Sequence, residues 1–361
     1  MKYRFFAAFM GTLVIASALS ACSNHNTSDY EKNDVSAEDD TAPETADTEA
    51  EETTVPVIST DTGVPSEECA ANRPQLLFAM DNGDCIYAAY KDGDDCPEEV
   101  YLRSDKKGKT EELALPEASE VLYSDGKKLY YYSPDDGICE YSSGKSTPLN
   151  KETKSQDSVP PRQSFYFTDD SIYFAVSGDN GTEIKSVDYS GKLSDKVYST
   201  ERRNARIVGF YNDKLVCSYD VGTNGYICTF DSEKSSTELK TGSSPYIVGN
   251  KVYFIDFNSL CCEPLDGGEK ESVSDERCTD FCFYGDKLIF TDGTDLFTAE
   301  NGKTEKLLEA SDLKSCNYIS GLGITDDKLY VCGGSGSFWK SIAEIDDNGK
   351  IINEISAGVD R

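Results

Sequence analysis

Seven copies of a strand–turn–strand unit, a wealth of Tyr and Phe, and Gly placed mostly in turns predict an all-β chain. The predicted architecture is a β-propeller of seven four-stranded blades behind a disordered N-terminal stalk. The clearest copy is GDKLIFTDGTDLFTAENGKTEKLLE, Gly285 to Glu309. It reads as two short alternating strands, a tight turn, and a GK-containing turn into a third strand.

The second strand of each copy is an apolar run: CIYAAY from Cys85, LYYYS from Leu129, IYFAVS from Ile172 and LVCSYD from Leu215. The series continues with VYFIDF from Val252, LIFTDG from Leu288 and LYVCGG from Leu329. From Leu129 onward the leading residues step by 43, 43, 37, 36 and 41. Alternation within the runs predicts strands whose two faces pack unequally. A third strand, a turn and a fourth strand follow each time. The turns read SDKKGKTEEL, SSGKSTPL, VDYSGKLSDKV, FDSEKSSTEL, LDGGEKESV, AENGKTEKL and IDDNGKIINEI. Most place Gly beside or near Lys, as a hairpin needing positive φ requires. Complete first and last blades must then meet without an exchanged strand, so each blade is stabilised by stacking on its neighbours.

The N-terminus reads as an address. Lys2 and Arg4 precede an apolar run, Phe5 to Ala18, too short for a permanent membrane span. Residues 22–68 are Ser, Thr, Asp, Glu, Ala and Pro with few large apolar side chains, and they predict a disordered acidic linker before a domain at 69–361. Thr54 to Ile58 (TVPVI) is its one apolar patch and a candidate extra strand. The chain carries 35 Lys+Arg against 66 Asp+Glu, a net −31. That balance excludes nucleic acid, whose binding needs clustered Lys and Arg.

Two resemblances follow from these residues. Leu19-Ser20-Ala21-Cys22 looks like a bacterial lipobox, which implies removal of residues 1–21 and a diacylglyceryl group on Cys22. The protein would then be lipid-anchored on the extracytoplasmic face of the cell membrane, held by two acyl chains. The repeats resemble those of bacterial exported β-propellers of unknown function related to lipoprotein-receptor ectodomains. They are similar as well to the quinoprotein-type repeats of the outer-membrane assembly lipoprotein.

Thirteen Cys include Cys22, leaving an even number in an exported chain, which suggests disulfides; buried thiols are the alternative. If Tyr219 faces Tyr226 across a hairpin, Cys217 faces Cys228 within bonding reach. Cys85 and Cys96 sit similarly in the first blade. Cys69, bonded to Cys316 or Cys332, would latch the ring. Cys261 and Cys262 are adjacent, so they should point to opposite faces and find separate partners such as Cys278 or Cys282.

His25, in the linker, is the single histidine, so the domain has no Ser-His-Asp or Cys-His site and no His-ligated metal. No catalytic residue and no cofactor is expected. Calcium at Lys91 to Asp95 (KDGDD) or Ser177 to Asn180 (SGDN) is the weaker alternative to a plain turn, since neither has EF-hand spacing.

Ligand contacts are expected at one mouth of the channel, from the second-to-third-strand turns and the blade connections. The candidates are the Asn150 to Arg162 connection, Asp179, Arg202, Arg203, and Phe338-Trp339, read either as a stacking platform or as a core pair closing the last blade. The function these features predict is recognition or scaffolding of an envelope protein or glycan. The alternative is a carboxylate-based glycan hydrolase or lyase, or a quinone-dependent oxidoreductase. An enzyme should show a deep polar mouth with facing carboxylates; a binder should show an aromatic patch.

Overall fold

The computed structural model describes residues 72, 77–91, 98–116, 119–154, 161–222, 224–230, 235–300, 303–336 and 338–357. Residues 1–21, read above as a leader, Cys22, the stretch 22–68 with Thr54 to Ile58, Cys69 and Cys96 lie outside the described residues.

The described residues form seven antiparallel four-stranded sheets, each made of four consecutive strands. Blade one holds β1 (Leu77–Ala79), β2 (Cys85–Lys91), β3 (Glu98–Ser104) and β4 (Thr110–Glu112); blade two holds β5 (Glu120–Ser124), β6 (Leu129–Ser133), β7 (Gly137–Ser142) and β8 (Lys145–Asn150). Blade three holds β9 (Phe165–Phe167), β10 (Ser171–Gly178), β11 (Gly181–Asp188) and β12 (Tyr198–Thr200); blade four holds β13 (Arg206–Tyr211), β14 (Lys214–Val221), β15 (Asn224–Phe230) and β16 (Ser235–Thr241). Blade five holds β17 (Ser243–Val248), β18 (Lys251–Asp256), β19 (Ser259–Pro264) and β20 (Glu271–Arg277); blade six holds β21 (Asp280–Tyr284), β22 (Lys287–Thr291), β23 (Asp295–Glu300) and β24 (Lys303–Glu309). Blade seven holds β25 (Tyr318–Thr325), β26 (Lys328–Ser335), β27 (Phe338–Ile345) and β28 (Ile351–Ser356).

Every apolar run singled out in the sequence is a second strand. The expectation of unequal faces needs correcting, however. All five residues of β6 are buried, as are the central residues of β14 and β18. A second strand lies between two neighbouring blades, so both its faces meet apolar surface. The fourth strands lie at the rim, and their described side chains in β4, β8 and β24 are largely exposed.

The core is divided into seven clusters, one per seam between blades. Tyr253 of blade five packs with Phe281, Phe283 and Phe290 of blade six; Phe78 and Tyr101 of blade one pack with Val121 and Tyr131 of blade two. The closing seam joins Leu77, Tyr87 and Ala89 to Cys332, Ile342 and Ala357. Blades one and seven meet there without an exchanged strand. Hydrogen bonds between described residues cross the join: Thr325 Oγ1 donates to the Leu77 carbonyl at 2.8 Å, and the Tyr90 N–H donates to the Ala357 carbonyl at 3.0 Å. A cavity of about 10 Å³ between Leu77, Thr325 and Cys332 is no larger than one water needs.

Candidate functional site

The first strands of neighbouring blades touch one another, β21 with β25 and β13 with β9 and β17, so they line the axis. The second-to-third-strand turns and the blade connections therefore gather at one mouth. The connection from blade two to blade three ends there in a single helical turn, α1 (Pro161–Ser164), which contacts β5, β9, β10 and β13.

Arg162 on α1 joins three blades. Its Nε lies 2.5 Å from Glu120 Oε1 at the start of β5, and its Nη2 donates to the Tyr101 hydroxyl on β3 at 2.8 Å. Burial works against the guanidinium charge, yet Tyr101, Glu120 and Glu99 hold its pKa above the ordinary value. Burial pushes the Glu120 carboxyl up, with Arg162 opposing, and pushes the Tyr101 phenol up to about 12 despite Arg162 beside it. Tyr101 is therefore a neutral phenol at physiological pH.

Aromatic rings flank this group. On blade one Tyr90 stands opposite Glu99, with Tyr101 two residues further along the same face. On blade seven Tyr318 stands opposite Gly334, which stands opposite Trp339, so two rings flank a residue without a side chain. Tyr90 reaches Trp339 across the closing seam, with ring centroids 5.5 Å apart and planes at 60°. Tyr90, Tyr318 and Trp339 are each half-buried, and Glu99 is exposed. Burial, and then Glu99, push the Tyr90 phenol up; Glu99 also acts on Tyr101, Glu120 and Arg162.

The other candidates fall at the same mouth, on blade three and on its connection to blade four. Asp179 lies in the two-residue turn between β10 and β11, and Arg203 Nη2 donates to its carbonyl at 2.7 Å and its carboxylate at 3.3 Å. Arg202 lies over the Tyr219 ring at 5.1 Å, and that ring stacks on Tyr226. Within SGDN, Ser177 Oγ bonds Thr182 Oγ1 and accepts the Asn204 N–H, so this stretch serves as a turn and anchors a blade connection. Residues 92–95 of KDGDD lie outside the described residues. Phe338 opens β27, and Trp339 is half-buried and packs against the closing seam.

The disulfide expectation is corrected: the described cysteines are thiols. The register is as expected, with Tyr219 opposite Tyr226 and Cys217 opposite Cys228. Both cysteines fill the seam between blades three and four as small apolar groups, and burial raises the Cys217 pKa well above its usual value. Cys85 is a half-buried thiol and Cys332 a buried one in the closing seam. Cys261 and Cys262 do face opposite ways, toward blades four and six respectively. Sequence reasoning missed Tyr90, Glu99, Tyr101 and Glu120. Each sits in an ordinary strand pattern, and the register between separate copies is what assembles them.

No family model and no curated protein matches the chain. Among solved structures it is similar to the acylaminoacyl peptidase of Pyrococcus horikoshii, with 12% identity and a TM-score of 0.53 over 82% of this chain and 53% of that one. The chain thus spans about half the length of that peptidase. It is similar to the WD40 β-propeller domain of Doa1, with 13% identity and a TM-score of 0.50 over 78% of this chain and 93% of that one. Its likeness to BamB from Moraxella catarrhalis has 14% identity and a TM-score of 0.43 over 82% and 91% of the two chains. At such identities a likeness speaks for fold alone. The chain is a seven-bladed β-propeller.

Proposed function

We propose that this propeller is a non-catalytic recognition module, anchored through Cys22 at the extracytoplasmic face of the cell membrane, whose mouth receives an envelope protein. One observation carries the reading. The charged groups of the mouth are already joined, Arg162 to Glu120 with the neutral Tyr101 bonded beside them, and what stands half-buried next to them without a charge of its own is the aromatic Tyr90–Trp339 pair. A glycan hydrolase needs an acid and a base that both face substrate. Glu120 instead faces Arg162, and Tyr101 is held as a neutral phenol, too weakly acidic for a ready nucleophile. An aromatic rim around an occupied polar centre suits binding.

The test is a pull-down of the lipidated protein from its own membranes, read by mass spectrometry. The wild type is expected to retain a partner that a Tyr90→Ala/Trp339→Ala variant of unchanged thermal stability releases. Equal recovery by both proteins would remove the mouth from the function. Anchoring is checked separately, since Cys22→Ala should abolish incorporation of labelled fatty acid and move the protein to the soluble fraction.

A further inference from the structure

We infer that the seam site takes a cation: a Lys- or Arg-bearing segment of a partner protein, seated against the Tyr90 and Trp339 rings with its charge toward Glu99. The inference deepens the recognition reading above and rests on it. Three observations point the same way.

The first is the ring geometry. Strands in a sheet lie about 4.8 Å apart, so Tyr318 and Trp339, separated by Gly334, arise roughly 10 Å apart across the sheet. Tyr90 closes the third side against Trp339 at 5.5 Å. Half-exposed aromatic faces attract ammonium and guanidinium groups through their quadrupoles.

The second is the charge tally. Arg162 is paired with Glu120 at 2.5 Å, and Glu99, which also acts on Arg162 through space, forms no ion pair of its own among the described residues. Glu99 is exposed and stands opposite Tyr90, and its carboxylate makes no hydrogen bond or ion pair among the described residues. A neutral sugar would need both donors and acceptors. Arg162, the donor-rich group of this site, is already engaged, and the open group is an acceptor. An anionic ligand would meet Glu99 head on.

The third is the field. At net −31 the chain draws cationic partners toward it and repels anionic ones, and a carboxylate at the rim gives that attraction a destination.

Trp339 is the only tryptophan of the chain, so its emission reports on this site alone. The full-length protein is titrated with pentalysine, with pentaglutamate and with a neutral chitin tetrasaccharide. Pentalysine is expected to shift Trp339 emission and pentaglutamate to leave it unchanged. Raising salt from about 0.05 M to about 0.5 M, which shortens the screening length severalfold, should weaken the pentalysine response. Glu99→Gln should weaken it by about fivefold or more, whereas Glu305→Gln, an exposed change on β24, should alter it by less than about twofold.

An emission change with the tetrasaccharide and none with pentalysine overturns the cation assignment, as does a Glu99→Gln protein that titrates like wild type. Either result leaves recognition standing if the pull-down still yields a partner that depends on Tyr90 and Trp339. Loss of that dependence removes the recognition reading itself.

Discussion

Phe257 is 83% exposed at the tip of the β18–β19 hairpin, with φ at 47° and Asn258 following at 70°. Two successive positive φ values suit Asn or Gly, while a bulky side chain in this region costs about 1–2 kcal/mol. Phe257→Asn should therefore raise unfolding stability by about 1 kcal/mol in a urea titration, because no burial is lost in exchange. Arg162 shows the opposite balance. Arg162→Met leaves the half-buried Glu120 without its counter-charge and should cost about 2 kcal/mol, whereas Arg162→Met/Glu120→Gln should cost clearly less. A double-mutant cycle in urea measures the difference. Thiols follow burial too: in the native protein Cys85 and Cys316, both half-buried, should alkylate well before Cys217.

At the level of elements, the described Gly-Lys turns fall into two devices. Three of them share the pattern Asp-x-x-Gly-Lys. Asp105 Oδ1 accepts the N–H groups of Lys107 and Lys109, Asp188 those of Ser190 and Lys192, and Asp346 those of Asn348 and Lys350. The Gly before each Lys has φ between 76° and 86°, which is why Gly stands there. Blade two instead uses the two-residue turn Ser143-Gly144, with φ 52° and 78°. The accepted N–H bonds favour the ionised carboxylate, so the folded-state pKa of Asp105 and of Asp188 is depressed below 3.8; for Asp188 the Ser190 hydroxyl contributes most. A depressed carboxylate contributes stability that is present above the unfolded value and is lost as pH falls through the folded one. The Asp105→Asn/Asp188→Asn protein keeps acceptors in both turns but not their titration. Its melting temperature should fall less steeply than that of wild type as pH drops below about 4.

For the whole molecule, the weak place is the closing seam. Six of the seven joins lie between blades that are consecutive in the chain. The seventh depends on the apolar cluster around Leu77, Tyr87 and Ile342 and on the Thr325–Leu77 and Tyr90–Ala357 hydrogen bonds, with no continuous chain across it. Amides of β1 and β25 should therefore exchange with solvent faster than those of β13 and β17, through opening of this seam alone. Leu77→Ala should cost about 3 kcal/mol and widen that gap in exchange. The candidate site straddles this join, so partner binding at Tyr90 and Trp339 should slow exchange at the Tyr90 amide.

Strand order and the number of blades were both open to reading from the linear chain. They depend on local patterns: an apolar run, a turn residue with positive φ, a repeat near forty residues. Cys217 facing Cys228 was readable for the same reason, since a two-residue turn sets hairpin register. Tertiary structure alone decided that second strands are buried on both faces, that the cysteines serve as core thiols, and which side chains meet at the mouth. Tyr90, Glu99, Glu120, Arg162 and Trp339 come from four separate stretches of chain, and nothing local distinguishes them from their counterparts in other blades. They become neighbours because the ring closes, and closure is a property of seven stacked sheets rather than of any one of them.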